Sequence, residues 1–195
     1  PNKKQNKISY EALWKAIIRP PRDIYEEEDL GDSIFSIGKI NFIRKDFELV
    51  DFQGYLLKVS MIEPEPSERP FEIMPCVIYC HANASSRIEG LNIRKYFLKE
   101  NINLCIFDFE GSGTSEGEYI SLGYYEQEDV VCVVEYLKKS NKVSNIGLWG
   151  RSMGAVTAIM YASKKPEEIS VMVLDSGFYS LKTLINELVE TKVNL

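Results

Sequence analysis

The sequence predicts an α/β fold in which a mostly parallel sheet carries helices on both faces. Two strand patterns, residues 40–50 and 55–62, are joined by Asp51-Phe52-Gln53-Gly54, a turn typical of an antiparallel hairpin. From residue 76 onward, short apolar runs alternate with amphipathic segments. This alternation is typical of strand–helix units, whose parallel strands are buried on both faces.

Length and composition favour a globular protein with one main domain. A chain of 195 residues with 45% hydrophobic residues can bury a core. We expect residues 1–39 to form a basic helix followed by an acidic loop, and residues 40–195 to form the α/β domain. The formal net charge of −6 and the pI of about 5.0 carry no general signal for binding polyanions, so we expect no nucleic-acid partner.

The elements after the hairpin follow in a regular order. We predict strands at residues 76–80, 103–108, 145–149 and 171–174, and helices at residues 88–99, 125–139, 152–163 and 179–190. The stretch 64–70 is a polar, proline-rich loop. The chain ends soon after the predicted strand 171–174, so we expect a sheet that lacks its last strands.

The first 22 residues differ in charge from the rest, with six Lys or Arg residues against one Glu. Residues 8–19 place several apolar side chains near one helical face: Tyr10, Leu13, Trp14, Ile17 and Ile18. This pattern is typical of a short helix that packs on the domain, and it also fits a peripheral membrane contact. We recognise no secretory signal and no run near the ~20 apolar residues of a membrane span, so we expect a cytoplasmic location, with membrane association as the alternative.

The cysteines argue against a metal centre. Cys76, Cys80 and Cys105 lie in strand-like runs and Cys132 in a helix-like run, without a C-x-x-C pair. The chain has a single histidine. We therefore expect reduced thiols, no zinc or other metal, and no cofactor.

The most informative stretch is Gly150-Arg151-Ser152-Met153-Gly154. It follows an apolar strand pattern and precedes a helical one, which is the arrangement of a nucleophile elbow. A sharp turn would present the Ser152 hydroxyl in the open, and the two glycines would let strand and helix approach closely. The Met153 N–H, at the start of the helix, would face a developing oxyanion.

Other polar residues follow the predicted strands at the same edge of the sheet, where ligands of such folds bind. His81 and Asn83 follow the strand 76–80, Asp108 follows the next, and Asp175 ends the last. With these motifs in this order, residues 40–190 resemble the α/β-hydrolase superfamily. The resemblance is greatest to its serine-aminopeptidase-like and esterase/thioesterase branch.

The resemblance implies a role for each matching residue. Ser152 would be the nucleophile, and the backbone N–H groups of Met153 and Asn83 would bind the oxyanion. His81 would be a structural residue of its loop and not the catalytic base. Asp108 would begin a loop that shapes the rim of the pocket.

Two features depart from the family pattern. Ala82 stands where the family's His-Gly-Asn motif has glycine, and a positive φ at that position would cost about 1 kcal/mol. No histidine follows Ser152, although the family places its acid and histidine later in the chain. His81 is a weak alternative for the base. Asp175 is a weak alternative for the triad acid, and a turn-capping role is favoured for it.

Glycines 111, 113 and 117 raise the alternative of a phosphate-binding loop. Their spacing, G-x-G-x-x-x-G, is one residue longer than the dinucleotide fingerprint, which argues against a nucleotide site.

Two hypotheses for the function follow. The first is a serine hydrolase that acts on an ester, thioester or amide of a small acyl or peptide substrate, with its triad incomplete in this chain. The second is a non-catalytic homologue of the same fold that serves as a binding or scaffold protein. The oligomeric state stays open.

Overall fold

The computed structural model describes residues 15 and 18–193, with the backbone alone for residues 188–193. Seven strands form one sheet in the order β1-β2-β3-β5-β4-β6-β7. In chain order these strands are β1 (Ile34–Ile37), β2 (Ile40–Val50), β3 (Leu56–Pro64), β4 (Met74–Cys80), β5 (Asn103–Phe107), β6 (Val143–Arg151) and β7 (Val171–Asp175). The predicted α/β fold is confirmed.

The sheet is antiparallel at one side and parallel at the other. Strands β1, β2, β3 and β5 pair antiparallel, whereas β4 pairs parallel with both β5 and β6, and β6 pairs parallel with β7. The predicted hairpin turn closes with a hydrogen bond of 3.2 Å from Gly54 N to Asp51 O. All four parallel strands therefore end at one edge, the carboxyl edge, where the predicted site residues follow them.

Strand β1 was missing from the sequence prediction, which placed the residues before 40 in a helix and an acidic loop. Ile34 pairs with Ile43 and Ile37 with Ile40, so the sheet begins before residue 40. The sequence pattern for this strand is weak because β1 has only four residues. Its side chains alternate between exposed and half-buried. A period-2 pattern needs a longer run to be recognised.

Four α-helices are described: α1 (Arg94–Leu98), α2 (Glu126–Lys139), α3 (Met153–Lys164) and α4 (Leu181–Val193). The single helix predicted at 88–99 was wrong, because Arg87–Ile93 is a 3-10 helix and only α1 is α-helical. Gly90 lies so close to the sheet that an added Cβ would be 2.5 Å from Ile106 Cγ2. Glycine and asparagine are weak helix formers, which explains the irregular turn around Gly90 and Asn92.

Apolar side chains fill both faces of the sheet, as predicted. One cluster joins β3–β6 to α2 and α3 and includes the buried residues Phe107, Val133 and Leu148. A second cluster on the opposite face joins Phe42 and Ile106 to α1 and to the 3-10 helix that precedes it. All four cysteines are free thiols, and the three in strands are buried.

Most of the predicted N-terminal helix lies outside the described residues, including Tyr10, Leu13, Trp14 and Ile17. Lys15 and Ile18 are helical. Ile18 O accepts a hydrogen bond of 2.8 Å from Ile120 N, and Arg19 pairs with Glu118 at 2.6 Å, so this segment ends against the loop after β5. None of the helices described has the length and hydropathy that a membrane span requires.

The glycine at residue 154 gives a test of the packing between α3 and β4. An added Cβ would lie 1.9 Å from Cys80 O, so Gly154→Ala should lower the free energy of unfolding by more than about 3 kcal/mol. Gly38→Ala is the matched control, since its φ is +66° but its Cβ would meet nothing within 4 Å. That variant should lose only about 1 kcal/mol. Equal urea midpoints for the two variants would contradict the close contact.

Candidate active site

Ser152 lies where strand β6 ends and helix α3 begins. Its backbone has φ 50° and ψ −112°, outside the regions that non-glycine residues favour. Ser152 N donates a hydrogen bond of 2.8 Å to Asp175 O, which ties the turn to the end of β7. Strained backbone of this kind occurs at functional sites and holds the side chain in one direction.

Two glycines make the turn possible. A Cβ on Gly150 would lie 2.3 Å from Gly154 O, and a Cβ on Gly154 would lie 1.9 Å from Cys80 O. Neither residue has a positive φ, so the requirement is for space and not for backbone freedom. The structure thus brings the end of β4 directly beside the first turn of α3.

The N–H groups of Asn83 and Met153 are the two predicted oxyanion donors. Among the described residues, neither group donates a hydrogen bond to another part of the chain. Met153 is the first residue of α3, where the helix dipole favours negative charge. Both groups therefore retain the hydrogen-bonding capacity that an oxyanion needs.

Ala82 does not carry the strain considered from the sequence. Its φ is not positive, whereas the φ of Ala84, two residues later, is 56°. The alanine in place of the family's glycine thus fits its backbone, and the loop places its left-handed residue at position 84.

Glu89 holds the loop after β4 and was not identified from the sequence. Its Oε2 accepts a hydrogen bond of 2.9 Å from Ala82 N, and its Oε1 accepts one from Arg151. Burial opposes its charge, but these hydrogen bonds outweigh burial and hold the pKa of Glu89 below its ordinary value. The carboxylate therefore links the predicted oxyanion loop to the residue before Ser152.

His81 is fully buried and its ring is already engaged on both sides. Nδ1 lies 2.7 Å from Ala82 O, and Nε2 accepts a hydrogen bond of 3.2 Å from Phe109 N. This pattern requires a neutral ring with the proton on Nδ1. A histidine fixed in this way braces two loops and has no nitrogen available to take a proton from Ser152.

Asp108 organises the glycine-rich loop after β5. Its Oδ2 accepts hydrogen bonds from Tyr25 Oη at 2.6 Å and from Thr114 N at 3.0 Å, and its Oδ1 accepts one from Arg87 N at 2.6 Å. A Cβ on Gly113 would lie 2.4 Å from the carboxyl carbon of Asp108. The glycine-rich loop is thus closed around the Asp108 carboxylate of its own chain.

Asp175 lies at the end of β7, near the elbow. Its Oδ1 accepts a hydrogen bond of 2.7 Å from Ser176 Oγ, and its Oδ2 is 3.8 Å from Arg151 Nε. The turn-capping role favoured from the sequence stays a prediction, because the contact with Ser176 joins two side chains and not the carboxylate to a backbone N–H group.

A group of buried carboxyl groups lies on the other side of the β5 loop. Asp129 Oδ2 accepts a hydrogen bond of 2.8 Å from Glu110 N. Burial raises the pKa of Glu110 to about 7 and holds the pKa of Asp129 well above its ordinary value. No local motif marks these residues, because the positions are far apart in the sequence.

The buried His81 predicts a pH dependence of stability. Burial lowers its pKa, while the charges of Asp108, Glu89 and Glu126 act in the opposite sense. Because the folded-state pKa is below the unfolded value of about 6.5, the stabilisation is fully present above that pH and is lost as the pH falls. The unfolding free energy of the wild type minus that of His81→Gln should therefore decrease from pH 7.5 to pH 5.

Urea unfolding of both proteins at each pH measures this difference. Other groups that titrate in this range affect both proteins and cancel in the comparison. A difference that stays constant over the whole range would contradict a buried neutral His81.

Comparison with known proteins gives a family match over most of the described domain. Residues 74–194 match the family described as serine aminopeptidase, S33. The uncharacterized protein YqkD of Bacillus subtilis is 32% identical over 140 residues, which cover 71% of this chain and 44% of that protein. Protein bem46 of Schizosaccharomyces pombe is 33% identical over 122 residues, which cover 61% of this chain and 40% of that protein. The chain thus spans about half the length of the curated relatives it matches.

Solved structures show the same fold. The esterase Pf2001 of Pyrococcus furiosus aligns with a TM-score of 0.71 at 27% identity, over 91% of this chain and 62% of that chain. Est1E of Butyrivibrio proteoclasticus, solved with ferulic acid bound, aligns with a TM-score of 0.60 at 21% identity, over 73% of this chain and 56% of that chain. At 21% identity, the similarity to Est1E shows a shared fold alone.

Proposed function

Because the chain belongs to the serine aminopeptidase S33 family of α/β-hydrolases, we propose that it is a serine hydrolase that attacks carboxylic esters, thioesters or amides with Ser152. The observation that carries this proposal is the strained backbone of Ser152 at the N-terminus of α3. The esterase Pf2001, which shares the fold at 27% identity, favours an ester among these substrates.

The proposed reaction follows from the geometry of the elbow. Ser152 Oγ attacks the carbonyl carbon and passes its proton to a base, and the carbonyl oxygen becomes the oxyanion. The N–H groups of Met153 and Asn83 donate hydrogen bonds to that oxyanion. When the tetrahedral intermediate collapses, the bond to the leaving group breaks, the leaving group takes the proton back from the base and departs, and the acyl group stays on Ser152. Water then releases the acid by the same steps.

The base of this reaction is not His81. Its two ring nitrogens are in hydrogen-bond contact with Ala82 O and Phe109 N, and the sequence contains no second histidine. We propose that a group outside these 195 residues supplies the base. Asp175, at the end of β7, is the candidate in this chain for the acid that would orient this base. Its contact with Arg151 would have to be exchanged for one with the base.

The rival proposal is a non-catalytic homologue that binds a ligand at the same edge. The observation that favours it is that the sequence contains a single histidine, His81. Without a base, a catalytic triad retains only the contributions of binding and the oxyanion hole. The two proposals differ in the reactivity of one hydroxyl group, which can be measured.

Chemical rescue tests the reactivity of Ser152. Imidazole in solution can supply the missing base, so it should speed acylation of the 195-residue chain by p-nitrophenyl acetate at least about tenfold over Ser152→Ala in the same buffer. Subtracting the rate of Ser152→Ala removes the hydrolysis that imidazole causes by itself. A fluorophosphonate probe under the same conditions should label the wild type and not Ser152→Ala.

Ser163→Ala is the matched control, because Ser163 lies on the same helix, is exposed, and bonds to Met160 O at 2.8 Å. It should react like the wild type. Equal rates and equal labelling for the wild type and Ser152→Ala would overturn the hydrolase proposal and leave the binding protein.

A further inference from the structure

Three carboxyl groups meet beside the carboxyl edge of the sheet, away from Ser152. Asp51 follows β2, Glu110 follows β5 and Asp129 lies in the first turn of α2. Each offers one oxygen, and these oxygens lie within 4.8 Å of one another. The residues are buried, with exposed fractions of 7%, 6% and 0% in the same order.

Backbone groups fix the orientation of two of these carboxylates. Asp51 Oδ1 accepts hydrogen bonds of 2.8 Å from the N–H groups of Gln53 and Tyr55. Asp129 Oδ2 accepts the bond from Glu110 N, and the Glu110 side chain accepts one from Gln53. The three groups are therefore held in place by the chain around them.

The second oxygen of each aspartate has no partner. Asp51 Oδ2 and Asp129 Oδ1 are buried and accept no hydrogen bond from any described residue. A buried carboxylate oxygen without a donor is unfavourable, because it has lost its water without replacement. The geometry thus leaves two oriented acceptor atoms that call for a cationic or protonated partner.

No positive side chain in the described part of the chain forms an ion pair with this cluster. The salt bridges of the neighbouring segments join other groups, such as Lys58 to Glu48 and Lys139 to Glu135. Three ionised carboxylates at this separation would repel one another strongly in a buried environment. A bound cation would remove the repulsion and satisfy the free oxygens together.

We propose that Asp51, Glu110 and Asp129 form a binding site for one hard divalent cation of the size of Ca²⁺. Calcium binds carboxylate oxygens at about 2.3–2.6 Å in a flexible geometry, so three oxygens that lie within 4.8 Å of one another can share one such ion. Mg²⁺ requires near-ideal octahedral geometry and keeps several waters, which suits a buried cluster of three carboxyl groups less well. This proposal departs from the expectation of no metal drawn from the cysteine and histidine pattern.

A cation at this position would tie together three segments that are distant in sequence. It would join the β2–β3 hairpin and the first turn of α2 to the loop after β5. The residue before Glu110 is Phe109, whose N–H donates to His81. The cation would therefore stabilise the loop that also braces the candidate active site.

Calcium titration tests the proposal on the wild-type chain freed of metal with a chelator. Calorimetry should show one Ca²⁺ bound per chain, and saturating Ca²⁺ should raise the melting temperature by roughly 5 °C. Asp129→Asn and Glu110→Gln keep the side-chain shape and remove one charge each. Both should weaken binding at least about tenfold. Two variants are used so that one remains if the other does not fold.

Glu135→Gln is the matched control, since it removes an exposed carboxylate from the same helix α2. It should bind Ca²⁺ like the wild type. The rival explanation is a proton bound at Glu110, because burial and the neighbouring Asp51 carboxyl group raise the pKa of Glu110 to about 7. Absence of Ca²⁺ binding by the wild type, equal affinities for all variants, or tighter binding of Mg²⁺ than of Ca²⁺ would each overturn the proposal.

Discussion

A backbone contact between helix α3 and strand β4 constrains the whole carboxyl edge of the sheet. Gly154 passes so close to Cys80 O that no side chain fits between them. The helix must then start immediately after β6, and the connecting residue, Ser152, takes a backbone conformation that serine rarely adopts. The strain at Ser152 is thus the consequence of tight packing next to it, and the surrounding core holds it in place.

The loops around Ser152 are fixed by buried or half-buried polar groups of the same chain. His81 joins the loops after β4 and β5, Asp108 closes the glycine-rich loop, and Glu89 joins the β4 loop to Arg151. Each of these groups uses its hydrogen-bonding atoms on the backbone or on a neighbouring side chain. The N–H groups of Asn83 and Met153 are left uncommitted, so the edge is rigid around two free donors.

Much of this arrangement could be predicted from the sequence, where the signal is local. The elbow and the buried strands are short apolar runs with clear boundaries, and the structure places them within a few residues of the predicted positions. Strand β1 was missed because four residues carry too little periodicity. The helix at 88–99 was overextended because the pattern does not report how close Gly90 lies to the sheet. The cluster of Asp51, Glu110 and Asp129 depends on contacts between distant segments, which no local pattern contains.

The buried thiols of the central sheet provide an internal reporter of its opening. Cys80 and Cys105 lie on one face of neighbouring strands and are fully buried, and burial raises the pKa of the Cys105 thiol to about 12. Because only an exposed thiolate reacts with an alkylating reagent, these residues become reactive when the sheet opens locally. Cys80 adjoins Gly154, so its alkylation rate would measure how often the elbow separates from the sheet under native conditions.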